Sequence, residues 1–248
     1  MRARSTLFTL YMEYVFPNRK ARVKDLVRWM RLLGFSEPAV RAALSRSAKR
    51  GWVIPERKGR EALYQLSDRV FWQIKAVRKR LYEHTPSFSG RFSLLLVQNL
   101  GRKARDRFKA ELALLGYGSL LPGVFISPNG EEELVKELLS FYGQEGFLLR
   151  AEGSLEEARA LVRRVFPLQE AQAHYQELLR RSWQAKDPEE AFRRLTELVH
   201  EARKLLFLDP GLPPALAPEG YLGPLARERF LQRRAELCAM ARPVFSPD

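Results

Sequence analysis

The chain has 248 residues, 46% of them hydrophobic and 29% charged, with a formal net charge of +14. That length is enough to bury real cores in one to three domains, and no run of about 18 or more apolar residues is present to form a transmembrane helix. Cys238 is the only cysteine, and His84, His174 and His200 lie far apart, which excludes an internal disulfide and leaves no recognisable metal-ligand spacing. The N-terminus lacks the long apolar segment and small-residue cleavage site of a signal peptide, so a cytoplasmic location is expected. Residues 1–80 hold 20 Lys+Arg and 6 Asp+Glu, whereas residues 81–248 hold 23 of each. All the excess charge therefore sits in the first third, which points to a polyanion bound by one domain. An anionic membrane surface is a competing partner, but it favours a basic amphipathic helix over the hairpin described below.

The first predicted helix covers residues 5–15. Leu7, Phe8, Leu10, Tyr11, Tyr14 and Val15 are spread over much of its circumference, so it must be covered on several sides. Phe16-Pro17-Asn18 ends it. Residues 23–33 form a second helix, with Val23, Leu26, Val27, Met30 and Leu33 on its core face. Gly34-Phe35 is a tight turn into a third helix, which makes a helix-turn-helix pair.

The third helix has a defined start and stop. Ser36 can cap the first turn, Pro38 is tolerated there, and Gly51 can enter the left-handed conformation that ends it. Val40, Ala43, Leu44 and Ser47 share one face, while Arg41, Ser45, Arg46, Lys49 and Arg50 project elsewhere. Taken alone, such a helix reads better as a solvated amphipathic surface element than as a DNA-reading one. After Gly51 the period changes to two strands, residues 52–54 and 62–66, joined by a seven-residue loop, Pro55 to Glu61, that carries Arg57, Lys58 and Arg60. Three helices followed by a basic-tipped hairpin is the order of a winged helix-turn-helix domain that binds double-stranded DNA. Arg41, Ser45 and Arg46 have the reach to contact bases, Lys49 and Arg50 to contact phosphates, and Arg57, Lys58 and Arg60 to contact the backbone or minor groove, with Ser36 at the helix start counted among the DNA-binding residues as well.

A helix over residues 68–82 leaves the hairpin, and residues 84–90 read as a linker. Then come a strand at 92–98, a helix at 102–115 stopped at Gly116, short strands at 117–121 and 123–127, a helix capped by Asn129, and a strand at 147–151. This β-α-β-β-α-β order is that of a ferredoxin-like sandwich. Glu131, Glu132 and Glu133 at the last helix start complement its dipole and need no catalytic role. The C-terminal third is helical: Ser154-Leu155-Glu156-Glu157 opens one helix as a capping box, a second spans about 168–183, Asp187-Pro188-Glu189-Glu190 opens a third, and a last one covers about 225–240.

STLFTLYMEYVFP and LVRWMRLLGFSEPAVRAALSRSAKRGWV resemble the N-terminal domain of the PaaX family of transcriptional repressors of phenylacetate-degradation operons. RFSLLLVQNLGRKARDRFKAELALLGYGSLLPGVFISP resembles the family's central domain, whose fold is similar to small CRISPR-associated nucleases. Such nucleases place an acidic residue after the first strand, and family relatives often read Asp-Ile-Pro-Glu there. Gln98-Asn99-Leu100-Gly101 stands at that place here, a departure that argues against metal-dependent cleavage and leaves dimer contacts or domain packing to this segment. HEARKLLFLDPGLPPALAPEGYLGPLARERF resembles the C-terminal block, which implies a helical domain for ligand sensing and oligomer contacts.

The resemblance implies an acyl-CoA thioester effector, with phenylacetyl-CoA the founding case. Arg150, Trp183, His200 and Arg203 are candidate contacts: arginine for phosphate, the aromatic for stacking, the histidine for hydrogen bonding. An ordinary packing or surface role competes for each. The expected whole is multidomain, mainly α with α+β. It comprises a DNA-binding domain at 1–67, a connecting helix and linker at 68–90, a ferredoxin-like domain at 91–153 and a helical effector and oligomerisation domain at 154–248. The expected function is that of a non-enzymatic, dimeric repressor of an inverted-repeat operator, released by acyl-CoA, with no cofactor, metal or catalytic residue. A nuclease built on the central domain and an effector-independent architectural DNA-binding protein are the alternatives.

Overall fold

The computed structural model describes residues 1–83, 87–98 and 101–246. The expected linker at 84–90 and the Gln98–Gly101 departure fall partly outside these residues. In chain order the first elements are α1 (Ala3–Leu10), β1 (Lys20–Arg22), α2 (Val23–Leu32), α3 (Glu37–Lys49), β2 (Val53–Lys58), β3 (Glu61–Leu66) and α4 (Asp68–Arg78). They are followed by β4 (Arg91–Val97), α5 (Arg102–Leu114), β5 (Gly118–Leu121), β6 (Val124–Ser127), α6 (Glu132–Tyr142) and β7 (Gly146–Glu152). The last are α7 (Leu155–Val165), α8 (Leu168–Arg180), α9 (Pro188–Leu205) and α10 (Gly223–Phe245). The fold is mixed α+β, and the chain gathers into two compact units. One holds Met1–Lys75, Ser182–Glu201 and Phe230–Asp248, and the other holds Ala76–Arg181 and Ala202–Arg229. The units thus cut across the order of segments in the sequence.

In the first unit, α1 runs into a π-helical turn, Tyr11–Val15, where the Phe16 N–H reaches the Tyr11 carbonyl at 2.9 Å. Its all-round apolar surface demands cover, and Leu7, Phe8, Leu10, Tyr11, Met12 and Val15 are buried. Part of that cover comes from far along the chain. The Tyr14 ring stacks on Phe192 at 4.7 Å, and its hydroxyl lies 2.8 Å from Thr196 Oγ1. Glu13, its side chain buried in this turn, pairs with Arg234 at 2.6 Å. α2 and α3 complete the helical layer, burying Leu26, Val27, Trp29 and Met30 from one and Val40, Ala43, Leu44 and Ser47 from the other. A three-stranded antiparallel sheet of order β1-β3-β2 closes the layer. Val53, Leu66 and Ala21 lie on its buried face.

The hairpin is longer in strand and shorter in loop than its sequence suggests. β2 and β3 pair without a break from Val53↔Leu66 to Lys58↔Glu61, and only Gly59 and Arg60 form the turn. Pro55 reads as a breaker but sits in β2, an edge strand, where its missing N–H breaks no ladder bond. Gly59 takes φ +60°, as two-residue hairpin turns require. Arg57 and Lys58 are therefore strand residues, not loop residues.

In the second unit, β4, α5, β5, β6, α6 and β7 build a four-stranded antiparallel sheet of order β5-β6-β4-β7. This arrangement fits the ferredoxin-like sandwich. Leu95, Phe125, Phe108, Leu112, Val135 and Leu138 are buried, with the Phe108 and Phe125 rings 5.9 Å apart. Phe92 and Ile126 instead pack with Ala158, Val162 and Phe166, and with Leu212 and Leu216 from the segment between α9 and α10.

Two expected boundaries change here, and a third changes in the first unit. Asn129 does not cap α6, which begins at Glu132 with no side-chain cap bond. Its Nδ2 instead donates to the carbonyls of Pro210 (3.1 Å) and Gly211 (2.8 Å), a tertiary use that overrides the local one. α8 stops at Arg180, short of Trp183. α10 continues past Met240 to Phe245, with Pro243 in its last turn. The capping box at Ser154 and Glu157 forms as expected, and Asp187 Oδ1 accepts the Glu190 N–H at 2.8 Å.

Candidate nucleic-acid interface

The helix α3 is held from both ends by local chemistry. Ser36 Oγ accepts the Ala39 N–H at 3.4 Å, and past Arg50 the chain turns at Gly51, φ +68°. Four buried residues anchor one side, which leaves Arg41, Ala42, Ser45, Arg46, Lys49 and Arg50 exposed. At about 100° per residue, Ala42, Ser45 and Lys49 occupy the centre of the outer face, with Arg41 on one flank and Arg46 on the other. The central side chains near the N-terminal end are small. A helix bearing Ala42 and Ser45 there can bring its backbone close to a flat or grooved partner.

The hairpin supplies the second set of cations. Arg57 shares a sheet face with Val53 and Pro55 and is paired across from Ala62, whereas Lys58 points to the opposite face with Ile54 and Glu56. Arg60 occupies the turn itself. Glu56 is engaged with Lys20 at 2.8 Å. In contrast, the side chains of Arg46, Lys49, Arg50, Arg57, Lys58 and Arg60 have no ion-pair or hydrogen-bond partner among the described residues. Cations left exposed and unneutralised on two adjacent elements are available to an anionic partner.

Arg41 differs from that set. Its guanidinium is held by Glu37 one turn back, with Nε at 2.8 Å and Nη2 at 2.7 Å from Oε1. Arg41 also lines a groove of about 860 Å³ between α2, the start of α3 and the hairpin tip. Six cations line this groove: Arg22, Lys24, Arg28, Arg31, Arg41 and Arg60. Sequence reasoning missed Lys24, Arg28 and Arg31, because α2 reads as a core helix and its polar side carries no motif. The signal was there in the spacing of Lys24, Arg28 and Arg31, which recur on one face at helical steps.

The four residues singled out for an effector divide between the units. Trp183 and His200 are buried in the first, His200 with Nδ1 3.3 Å from Thr9 Oγ1. Arg150 and Arg203 belong to the second, where Arg150 lies exposed on β7, 3.6 Å from Glu132, and Arg203 is half-buried.

The most elaborate polar cluster in the second unit is a structural node. Asp209, in the Asp-Pro-Gly-Leu-Pro-Pro turn, accepts the N–H groups of Gly211 (2.6 Å) and Leu212 (3.0 Å) and the hydroxyls of Tyr175 and Tyr221 (each 2.7 Å). Its own carbonyl accepts Arg80 Nη2 at 2.8 Å, while Arg80 Nη1 donates to the carbonyls of Ala113 and Leu114. Burial pushes Arg80 down to about 10, against the pull of Asp209. Burial, then Asp209, holds the Tyr221 hydroxyl well above its ordinary value. With both carboxylate oxygens of Asp209 and both terminal nitrogens of Arg80 engaged, and only Arg80 Nε left without a partner among the described residues, this cluster closes a turn. Among the described residues no group of three or more His, Cys, Asp or Glu side chains could hold a metal ion, and no helix is long and apolar enough to cross a membrane.

Comparison with known proteins gives one consistent result along the chain. Residues 2–70 match the PaaX-like protein model, residues 93–162 the PaaX protein central Cas2-like domain, and residues 166–246 the PaaX-like protein C-terminal domain. The chain is 30% identical over 213 residues to the transcriptional repressor PaaX of Escherichia coli K12, covering 79% of this chain and 67% of that protein. The uncharacterized protein Rv0674 from Mycobacterium tuberculosis shares the fold, with a TM-score of 0.56, 21% identity and 98% of each chain covered.

Proposed function

The chain belongs to the PaaX family, and on that premise we propose that it is a transcriptional repressor whose N-terminal region binds an operator as a winged helix-turn-helix. The observation that carries this reading is the set of exposed, unpaired cations on α3 and the hairpin, in the only part of the chain with excess positive charge. In it, α3 enters the major groove with Arg41, Ser45 and Arg46 at base edges and Lys49 and Arg50 on phosphates. Ala42 adds a small apolar contact of the kind that meets a thymine methyl. Arg57, Lys58 and Arg60 serve the adjacent backbone or minor groove.

A homodimer would present two such helices to an inverted repeat, with half-sites about one helical turn apart. An acyl-CoA thioester, phenylacetyl-CoA or a relative, would lower operator affinity by binding the non-operator state more tightly. That part rests on family membership. Arg150, Trp183, His200 and Arg203 remain its candidate contacts, and the burial of Trp183 and His200 means they could be reached only after a local opening.

Two measurements test the reading. Arg46→Ala should remove discrimination between operator and random duplex while leaving the thermal unfolding curve in place. Discrimination that survives at physiological salt would show that α3 does not read the sequence. For the effector, a thermal-shift panel of acyl-CoA thioesters should contain one that adds about 2.7 kcal/mol of stability at about 100 times its Kd. A flat panel would remove the thioester from the proposal.

A further inference from the structure

The cationic groove beside α3 meets the scheme above only at Arg41 and Arg60, and its charges fall into three groups. Arg31 and Arg60 are exposed, their side chains without a partner among the described residues. Three are held by acids, Glu37 keeping Arg41 at 2.7 Å and Glu61 lying 3.2 Å from Lys24 and 3.9 Å from Arg22, and Arg28 gives its Nη2 to the Val244 carbonyl at 2.9 Å. A site for a small anion gathers buried donors around one point. Here the side chains of Arg22, Lys24 and Arg41 are 46%, 65% and 62% exposed, and they reach the groove from three different elements, β1, α2 and α3. Hydrated cations from separate elements suit a polymer of anions, because each contact releases a counterion condensed on that polymer.

We propose that this groove carries the phosphodiester backbone of one DNA strand. Arg31 and Arg60 are standing contacts, and Arg41 is a contact that Glu37 keeps on the helix until a phosphate takes its place. An exposed i,i+4 pair is weak, so a phosphate oxygen can replace the carboxylate. The inference rests on the DNA-binding reading above and deepens it. It assigns Arg41 to the backbone and leaves base reading to Ser45 and Arg46. It also brings α2, otherwise a packing helix, into the interface through Arg31.

The test is a salt titration of the full chain on a random-sequence duplex, from about 50 to 200 mM. Arg31→Ala should flatten the slope of log affinity against log salt by about one. Its affinity deficit should then shrink about three- to fourfold across that range, with the ranking of operator variants unmoved. Arg41→Ala should do the same. Glu37→Gln should tighten binding to random duplex, and the gain should vanish when Arg41→Ala is added. An unchanged slope in Arg31→Ala overturns the groove, and so does a reordered sequence preference in Arg41→Ala. If Arg31→Ala unfolds at a lower temperature, Arg31→Gln takes its place in the same titration. A chain that binds no duplex at low salt overturns both readings, whereas normal binding with unchanged slopes overturns only this one.

Discussion

Arg46 and Arg80 carry the same guanidinium and have opposite fates. Arg46 stands exposed on the outer face of α3, its side chain without a partner among the described residues. Arg80 is 4% exposed and gives its terminal nitrogens to the carbonyls of Ala113, Leu114 and Asp209. Both belong to the 20 cations of residues 1–80, but only one of them is open to a ligand. A charge count gives the field of a domain, and only the neighbours of each cation say whether it works outward or inward. On α3 the first unit leaves Arg46 facing outward, whereas the second uses Arg80 to fasten a turn.

Mutations sharpen this contrast. The largest effect on stability belongs to Arg80→Ala, which leaves three carbonyls without their charged donor. It should cost about 3 kcal/mol or more, read as a lower denaturation midpoint. Arg46→Ala should leave that midpoint in place and cost about 1–3 kcal/mol of operator discrimination, read by competition with random duplex. A double change, Arg57→Ala with Lys58→Ala, should weaken all duplexes alike and flatten the salt slope by about two.

Smaller effects come from the hydroxyls and caps. Tyr221→Phe removes one of two hydroxyl donors to Asp209 and should cost about 1 kcal/mol. The same bond gives a pH signature. Burial, then Asp209, raises Tyr221 in the folded chain, so its contribution is intact below about pH 10, the value of a free tyrosine, and declines as pH climbs. Phenolate absorbance followed against unfolding should show the tyrosines of this cluster ionising only as the chain opens. The smallest effect lies at the α7 capping box. The Ser154 hydroxyl, then its N–H, holds the Glu157 carboxyl below the usual range. The box therefore stabilises α7 above about pH 4 and fails as pH falls through the folded value, and Glu157→Gln should reduce that acid sensitivity in a melting series.

Local chemistry made several of these elements legible. Ser36, Pro38 and Gly51 delimit α3 by capping and backbone freedom alone, and the apolar period names its buried face. The β-α-β-β-α-β order follows from runs and breaks that need no partner to interpret. The hairpin was legible in kind but not in length, because Pro55 has one meaning in a central strand and another at an edge. Asn129 looked like a cap because nothing nearby shows that residues 210 and 211 lie across from it. The association of residues 182–201 with the first unit was illegible for the same reason. Phe192 and Thr196 show an apolar or hydroxyl face to any partner, and only the fold says that the partner is Tyr14. The groove lay hidden because its cations come from β1, α2, α3 and the hairpin turn, none of which is unusual by itself.

A hairpin closed by two residues has no slack. From Val53 to Lys58 the strands alternate strictly, so Arg57 stands on the buried-face side of the sheet and Lys58 on the other. Inserting a single residue between Pro55 and Arg57 would keep every cation and exchange their sides. Inserting two would keep the sides and lengthen the reach. Parity, more than composition, thus decides which charge the tip offers in which direction, and relatives whose β2 strands differ by an even number of residues should keep the same orientation of charge.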